Sequence, residues 1–383
     1  MNSLDLLLYS FPLLFAVMAA SCSQGNRPTT DEIEDNFHTL VVIDAEKCSG
    51  DTTIMLSSLI DSLQVIKLGD GSAPTGHVYK VAASDNHALL IPYSDADSVK
   101  LFDPAGNTLF AIPMPAYEGS IPSFVDAAID EPRKRVYLSK QGEIVAYNFD
   151  GSEHRKYSID QIHNPSLFLY PDGELAVVSI CFVNLSDTVA VAHFNPDMEI
   201  SGVDDITVCH YPPLQESGSS LGSLYDQTDT KRVASKMLFS RIVTRDTTYY
   251  YDEVENRIYP HIVLNDPAKR ENAYHYAGEL PTGYVGGSNS IEKKKMYWLD
   301  KESGEVKNVT FHNDFIGEKM HPYYLFDDNY QQVFNLRHHR GYFQNILDSN
   351  PLTDSQRQRI ETILDTPDDC LVILRGKMIQ SNQ

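Results

Sequence analysis

The feature that most constrains the fold is a strand–turn unit that recurs at a near-constant step. In each copy an aromatic or apolar strand ends in Asp or Asn, turns, and resumes: LFDPAGNTLF (101–110), YNFDGSEHRKY (147–157), HFNPDMEI (193–200), YYYDEVENRIY (249–259) and YWLDKESGEVKNV (297–309). The markers Asp103, Asp150, Asn195, Asp252 and Asp300 are 47, 45, 57 and 48 residues apart. That period accommodates four short strands with their turns, the size of one propeller blade. A four-stranded meander has two faces to bury, and stacking such units in a ring covers both while removing most open edges. Each marker reads as a hairpin turn, begun by Asp, Asn or Pro, with Gly106 or Gly151 supplying positive φ.

The rest of the chain agrees with an all-β reading. From about residue 39 onward, strand-length runs rich in Val, Ile, Tyr and Phe alternate with turn residues, as in HALLIPY (87–93), KRVYLS (134–139) and ELAVVSICFV (174–183). Helical periodicity is scarce, and its clearest case is TDSQRQRIETILDT (353–366), with Thr353 as the candidate cap and Ile360, Ile363 and Leu364 on one face. Dividing the roughly 340 residues beyond position 45 gives about 57 per blade for six and about 49 for seven. Marker spacing slightly favours seven, while the polar insertion Gln215–Lys236 would inflate a six-bladed ring. The last strand, DDCLVILRGKMI (368–379), is expected to close the ring against N-terminal residues such as LVVI at 40–43.

Ahead of the repeats, Leu6–Met18 is an apolar run, too short for a comfortable membrane span and about right for a signal-peptide core. Ala19, Ala20 and Ser21 then precede Cys22, an arrangement that resembles the bacterial lipobox. There the peptidase site takes small residues and the thiol carries lipid. Ala19 stands where the lipobox usually has Leu, and the n-region carries Asp5 without Lys or Arg. An ordinary secreted protein or a buried N-terminal helix are the alternatives. The lipoprotein reading divides the chain into a signal peptide (1–21), a lipidated Cys22 with a flexible tether (22–38) and one propeller domain (39–383). Four cysteines remain: Cys48 and Cys370 near the two ends of the folded part, and Cys181 and Cys209. Two disulfides, Cys48–Cys370 and Cys181–Cys209, are one reading and four buried thiols the other.

Taken together, AASC, SVKLFDPAGNTLF, FVDAAIDEPRKRVYLS, EIVAYNFDGSEHRKYSI and CLVILRGKMI resemble the six-bladed β-propeller lipoproteins of Bacteroides-like bacteria, related in fold to NHL and TolB-like propellers. The resemblance covers about 40–383 and implies six blades. It also implies a location in the Gram-negative cell envelope, periplasmic or outer-membrane associated. The chain departs from it at AYEGSIPSFVD (116–126), where many relatives carry a Gly-Pro-Gly-Glu-like turn. The family supplies no agreed catalytic residues.

Motifs that carry chemistry are few. Asp plus Glu number 53 against 31 Lys plus Arg, a net charge of −22 that argues against nucleic acid. The thirteen histidines, among them His77, His154, His163, His193, His210, His261 and His312, form no metal-ligand spacing. His338 and His339, taken as strand neighbours, point to opposite faces. KLGDGSAPTG (67–76) fails the phosphate-loop spacing, and no G-x-S-x-G occurs. Paired carboxylates such as Asp95/Asp97, Asp204/Asp205, Asp327/Asp328 and Asp368/Asp369 read as solvated loops. The aromatics Tyr249–Tyr251, Tyr274, Tyr276, Tyr297, Trp298, Tyr323, Tyr324 and Phe326 divide between inter-blade packing and a possible recognition surface. No cofactor and no metal is expected, and the chain is expected to be a monomer. Two functions stay open: a binding module for a protein, peptide or glycan, or an extracytoplasmic hydrolase or lyase with its site at the channel mouth.

Overall fold

A computed structural model describes residues 36–379 apart from 70–77, 93–97, 115–123, 141, 159–162, 181–187, 201–205, 211–227, 234–235, 242–246, 267–273, 290–293, 323–324 and 327. The described chain begins with three strands, β1 (Val41–Asp44), β2 (Asp51–Met55) and β3 (Gln64–Leu68). Blade one follows as β4 (Val78–Ala83), β5 (Ala88–Pro92), β6 (Ser98–Phe102) and β7 (Thr108–Pro113). Blade two is β8 (Asp126–Asp130), β9 (Arg135–Lys140), β10 (Glu143–Asn148) and β11 (Glu153–Ser158). Blade three is β12 (His163–Leu169), β13 (Leu175–Ile180), β14 (Thr188–Phe194) and β15 (Ile206–His210). Blade four is β16 (Thr228–Val233), β17 (Lys236–Arg241), β18 (Thr247–Asp252) and β19 (Arg257–Asn265). Blade five is β20 (Tyr274–Leu280), β21 (Gly283–Asn289), β22 (Lys294–Asp300) and β23 (Val306–Asn313), with β24 (Glu318–Met320) added to β23. Blade six contains β25 (Leu325–Phe326) and β26 (Asn329–Asn335), then helices α1 (Leu336–Ser349) and α2 (Asp354–Leu364), then β27 (Leu371–Lys377). The fold is a six-bladed β-propeller, which settles the choice between six and seven.

Strand periodicity explains why the ring holds together. Successive side chains on a strand point to opposite faces, and here both faces lie between blades. On β9, Val136 and Leu138 join Leu89, Ile91 and Leu101 of blade one, while Tyr137 packs with Leu175, Val177 and Phe194 of blade three. Tyr249 and Tyr251 of β18 likewise meet Phe168, Ala176 and Val178 of blade three. Each fully buried Leu, Ile or Phe contributes about 2 kcal/mol.

All five sequence markers occupy one topological place, the turn between the third and fourth strands of blades one to five. Their side chains accept from backbone amides ahead of them: Asp103 Oδ1 from Ala105 N (2.9 Å) and Asn107 N (2.8 Å), and Asn195 Oδ1 from Asp197 N (3.0 Å) and Glu199 N (2.9 Å). Asp150 accepts from Ser152 N, Asp252 from Val254 N and Glu255 N, and Asp300 from Glu302 N and Ser303 N. Blade six has no such marker because its outer pair is not a covalent hairpin. Its fourth strand is β3, antiparallel to β27 from Leu371↔Leu68 to Arg375↔Gln64.

This closure corrects the expected pairing of the last strand with LVVI. The partner is the later run Gln64–Leu68, which completes the last blade. Val41–Asp44 pairs parallel with β19 of blade four, and Asp51–Met55 parallel with β23 of blade five. The N-terminal segment is therefore a strap along two outer edges before it closes the ring.

The same path separates Cys48 from Cys370, which are not joined by a disulfide, so of the two readings the disulfide does not hold for this pair. Cys48 follows β1 at the blade four–five junction, where its Sγ donates to the Gly50 carbonyl; Cys370 precedes β27, and its Sγ donates to the Gly69 carbonyl. Cys181 lies outside the described residues, and Cys209 sits on β15.

The expected helix is present as α2, and its capping box is complete: Thr353 Oγ1 accepts from Gln356 N, and Gln356 Oε1 from Thr353 N. A second helix, α1, holds His338 and His339, which are not on a strand. Leu336, Phe343 and Ile346 form its buried side. Arg340 of α1 donates to the Leu364 and Thr366 carbonyls, capping the C-terminal end of α2.

Candidate functional site

Strands alternate in direction, so the turns after the first and third strands of blades one to five share one end of the ring. On that end, polar side chains join blade to blade. His87 Nδ1 lies 2.8 and 2.9 Å from the two carboxylate oxygens of Glu131, which also accepts from Asn86 N (3.2 Å) and the Ser84 hydroxyl. Between blades three and four, His193 Nδ1 lies 2.6 Å from Glu174 Oε1 and its Nε2 3.0 Å from the Tyr251 hydroxyl. Between blades four and five, His261 Nε2 is 2.9 Å from Glu279 Oε2, and Lys301 Nζ is 2.7 Å from Oε1 of the same carboxylate.

The group Glu174–His193–Tyr251 has the carboxylate–imidazole–hydroxyl order of a nucleophile relay. Its hydroxyl is wrongly placed for attack. Tyr251 is only 2% exposed, and its hydroxyl donates to Asn256 Oδ1 at 3.0 Å. Burial pushes the Tyr170 phenol beside it upward, and the neighbouring Glu253 carboxylate adds to this. Burial likewise pushes Tyr137 and Tyr284 up to about 12, so these phenols stay protonated at neutral pH. What this geometry does is lock neighbouring blades.

A second set of contacts lies on the innermost strands. Asp126, at the start of β8 and 3% exposed, pairs with Lys80 Nζ of blade one (2.6 Å) and accepts from Leu167 N of blade three (2.9 Å). One carboxylate thus ties three blades. Ser139 Oγ donates to the Pro165 carbonyl at 2.8 Å beside it. Sequence reading missed Asp126, Lys80, Glu131, Glu174, Glu279 and Lys301.

The locks predict an acid limit to stability. Burial pushes the Glu131 carboxyl up, but hydrogen bonds from Ser84 and His87 outweigh this and hold it below the usual carboxylate value. At Glu279, burial is outweighed by His261 and Lys301. At Asp252, it is outweighed by the turn amides and His38. A carboxyl with a depressed folded value stabilises above its unfolded value and loses that contribution as pH falls through the folded one. The melting temperature is therefore expected to fall as pH drops below about 4.5. The Glu131→Gln variant should show a shallower fall, and an unchanged acid slope in thermal melts from pH 7 to 3 would contradict the assignment.

The other sequence candidates scatter. Tyr249, Tyr250, Tyr251, Tyr297 and Trp298 are all buried, which places them in packing. Tyr274 and Tyr276 lie on β20, and Phe326 on β25; Tyr323 and Tyr324 lie outside the described residues. Outside them too are Cys22, His77, Asp95, Asp97, Asp204, Asp205, Asp327 and most of 116–126 and 67–76. His163 and His210 lie on β12 and β15, His312 on β23, and His154 on β11; Asp368 and Asp369 are exposed. Among the described residues, no three His, Cys, Asp or Glu side chains are grouped to hold a metal ion.

The fold is similar to that of a Bacteroides fragilis protein described as exported, with a TM-score of 0.56 and 13% identity over 88% of this chain and 99% of that one. A Bacteroides caccae protein of unknown function aligns with a TM-score of 0.39 and 13% identity, over 61% of this chain and 82% of that one. No family model matches the chain, and no curated protein matches it. At 13% identity the likeness to the Bacteroides fragilis protein shows the fold alone.

Proposed function

We propose that the chain is a lipid-anchored, extracytoplasmic propeller that acts as a binding module for a protein, peptide or glycan. One observation carries this reading: the His87–Glu131, His193–Tyr251 and His261–Glu279 contacts join neighbouring blades, as a rigid presenting scaffold requires. Propellers display loops on a stiff ring, and the fold by itself assigns no chemistry. The lipobox-like AASC and the tether after it support attachment through Cys22 to the cell envelope. The export described for the Bacteroides fragilis protein agrees with that address.

Two measurements test it. Cys22→Ala should move the protein from the membrane to the soluble fraction, and unchanged fractionation would defeat the anchor. For the binding role, the soluble chain is screened on glycan and peptide arrays and every hit is followed for turnover. Saturable binding without turnover is expected. Conversion of a bound ester, lactone or sugar would assign the chain to the hydrolase or lyase class instead.

A further inference from the structure

The strap along blades four and five is held unevenly. On β2 no residue is fully buried, and on β1 the only one is Ile43, at 0% exposure, while Val42 beside it is 45% exposed. The closing strand β3 differs, with Leu68 fully buried and Ile66 packed into the blade six–one core. The grip of β1 rests mainly on two components, beside which Asn265 Nδ2 donates to Asp44 Oδ1 at 3.3 Å and Ala45 and Cys48 pack against the same cluster. One is a four-residue parallel ladder, Val41↔Ile262 to Asp44↔Asn265. The other is a single aliphatic side chain in a socket formed by Ile262, Leu264, Ala277, Tyr297 and Val306. Gly286 makes room for it: a Cβ there would lie 3.0 Å from Leu264 Cδ1 and 3.1 Å from Ile43 Cδ1.

This is the layout of a peptide bound by strand addition, in which ladder bonds supply affinity and a pocket for one side chain supplies selectivity. We infer that the outer edge of β19, with the Ile43 socket, is a binding site for an extended apolar peptide, kept filled by the chain's own β1. The occupant it fits runs parallel to β19, places an aliphatic side chain in the socket and exposes the residue before it, as Val-Val-Ile-Asp does at 41–44. Opening the site does not open the ring. The closing pair β3–β27 follows β1 in the chain and has its own five-residue register and buried side chains. The inference deepens the binding-module reading by naming a peptide site, and it stands independently of the lipid anchor.

The test uses the full chain and a fluorescent peptide spanning Thr39–Lys47. Ile43→Asp empties the socket, and this variant should bind the peptide at least tenfold more tightly than the wild type does. The same peptide carrying Asp at its socket position should not bind. Adding Gly286→Val to the Ile43→Asp chain should remove binding, since the new side chain fills the socket. Equal binding by wild type and Ile43→Asp, or none by either, would overturn the site. Hydrogen exchange on the wild type gives a readout that needs no variant. β1 amides should exchange well before those of β3 and β27, and exchange of all three in one cooperative step would overturn the replaceable strap.

Discussion

Gly106→Ala is expected to destabilise the ring by about 3–5 kcal/mol, because it combines a disfavoured backbone conformation with a backbone collision. Gly106 has φ +85 in the marker turn of blade one, where a side chain is strained whatever the space around it. Space is also lacking. A Cβ at this position would fall on the carbonyl oxygen of Lys67, in the closing strand β3, and Gly69 N already donates to the Gly106 carbonyl at 2.9 Å. The turn and the closing strand would have to separate, weakening the seam between blades six and one. Gly151 offers the control. It has a similar φ of +83, but its Cβ would meet Phe110 Cβ, a side-chain atom, at 3.0 Å. Gly151→Ala should therefore cost roughly 1–2 kcal/mol, mainly from the backbone conformation. Chemical denaturation of both variants checks the ranking, and equal losses would show that the seam contact carries no weight.

Asp126→Ala should cost about 3 kcal/mol, since it removes the acceptor shared by blades one, two and three. The Coulombic part is discounted because Lys80 is about one-third exposed, so the larger share comes from the buried amide contact to Leu167. Asp126→Asn keeps one carbonyl oxygen for that amide and should lose roughly half as much. The Lys80→Met change isolates the ion pair. If Asp126→Ala and Lys80→Met add fully in the double variant, the two residues are uncoupled and the tie to blade one is wrong.

How far the sequence could be read follows from the range of each interaction. The markers Asp103, Asp150, Asn195, Asp252 and Asp300 act on amides two to four residues ahead, so their signal is local and their spacing reports the blade period. Thr353 and Gln356 announce α2 for the same reason. Helix α1 had a signal too, the apolar positions Leu336, Phe343 and Ile346, but it was masked by the aromatic and histidine clusters around it. The locks left no local trace. His87 and Glu131 are 44 residues apart, Asp126 and Leu167 are 41, and His193 and Tyr251 are 58. These are one-blade distances, at which any His and any Glu of an acidic chain look alike.

By itself, the sequence determined the all-β class, the blade-sized period, the turn chemistry and one capped helix, because each depends on neighbours within a few residues. Only the tertiary structure decided the count of six and the choice of β3 as the closing strand. It also decided the strap on blades four and five, the separation of Cys48 from Cys370, and which carboxylates bind which blades. Those outcomes depend on which units become adjacent when the ring closes, and adjacency across a whole period is not written in local pattern.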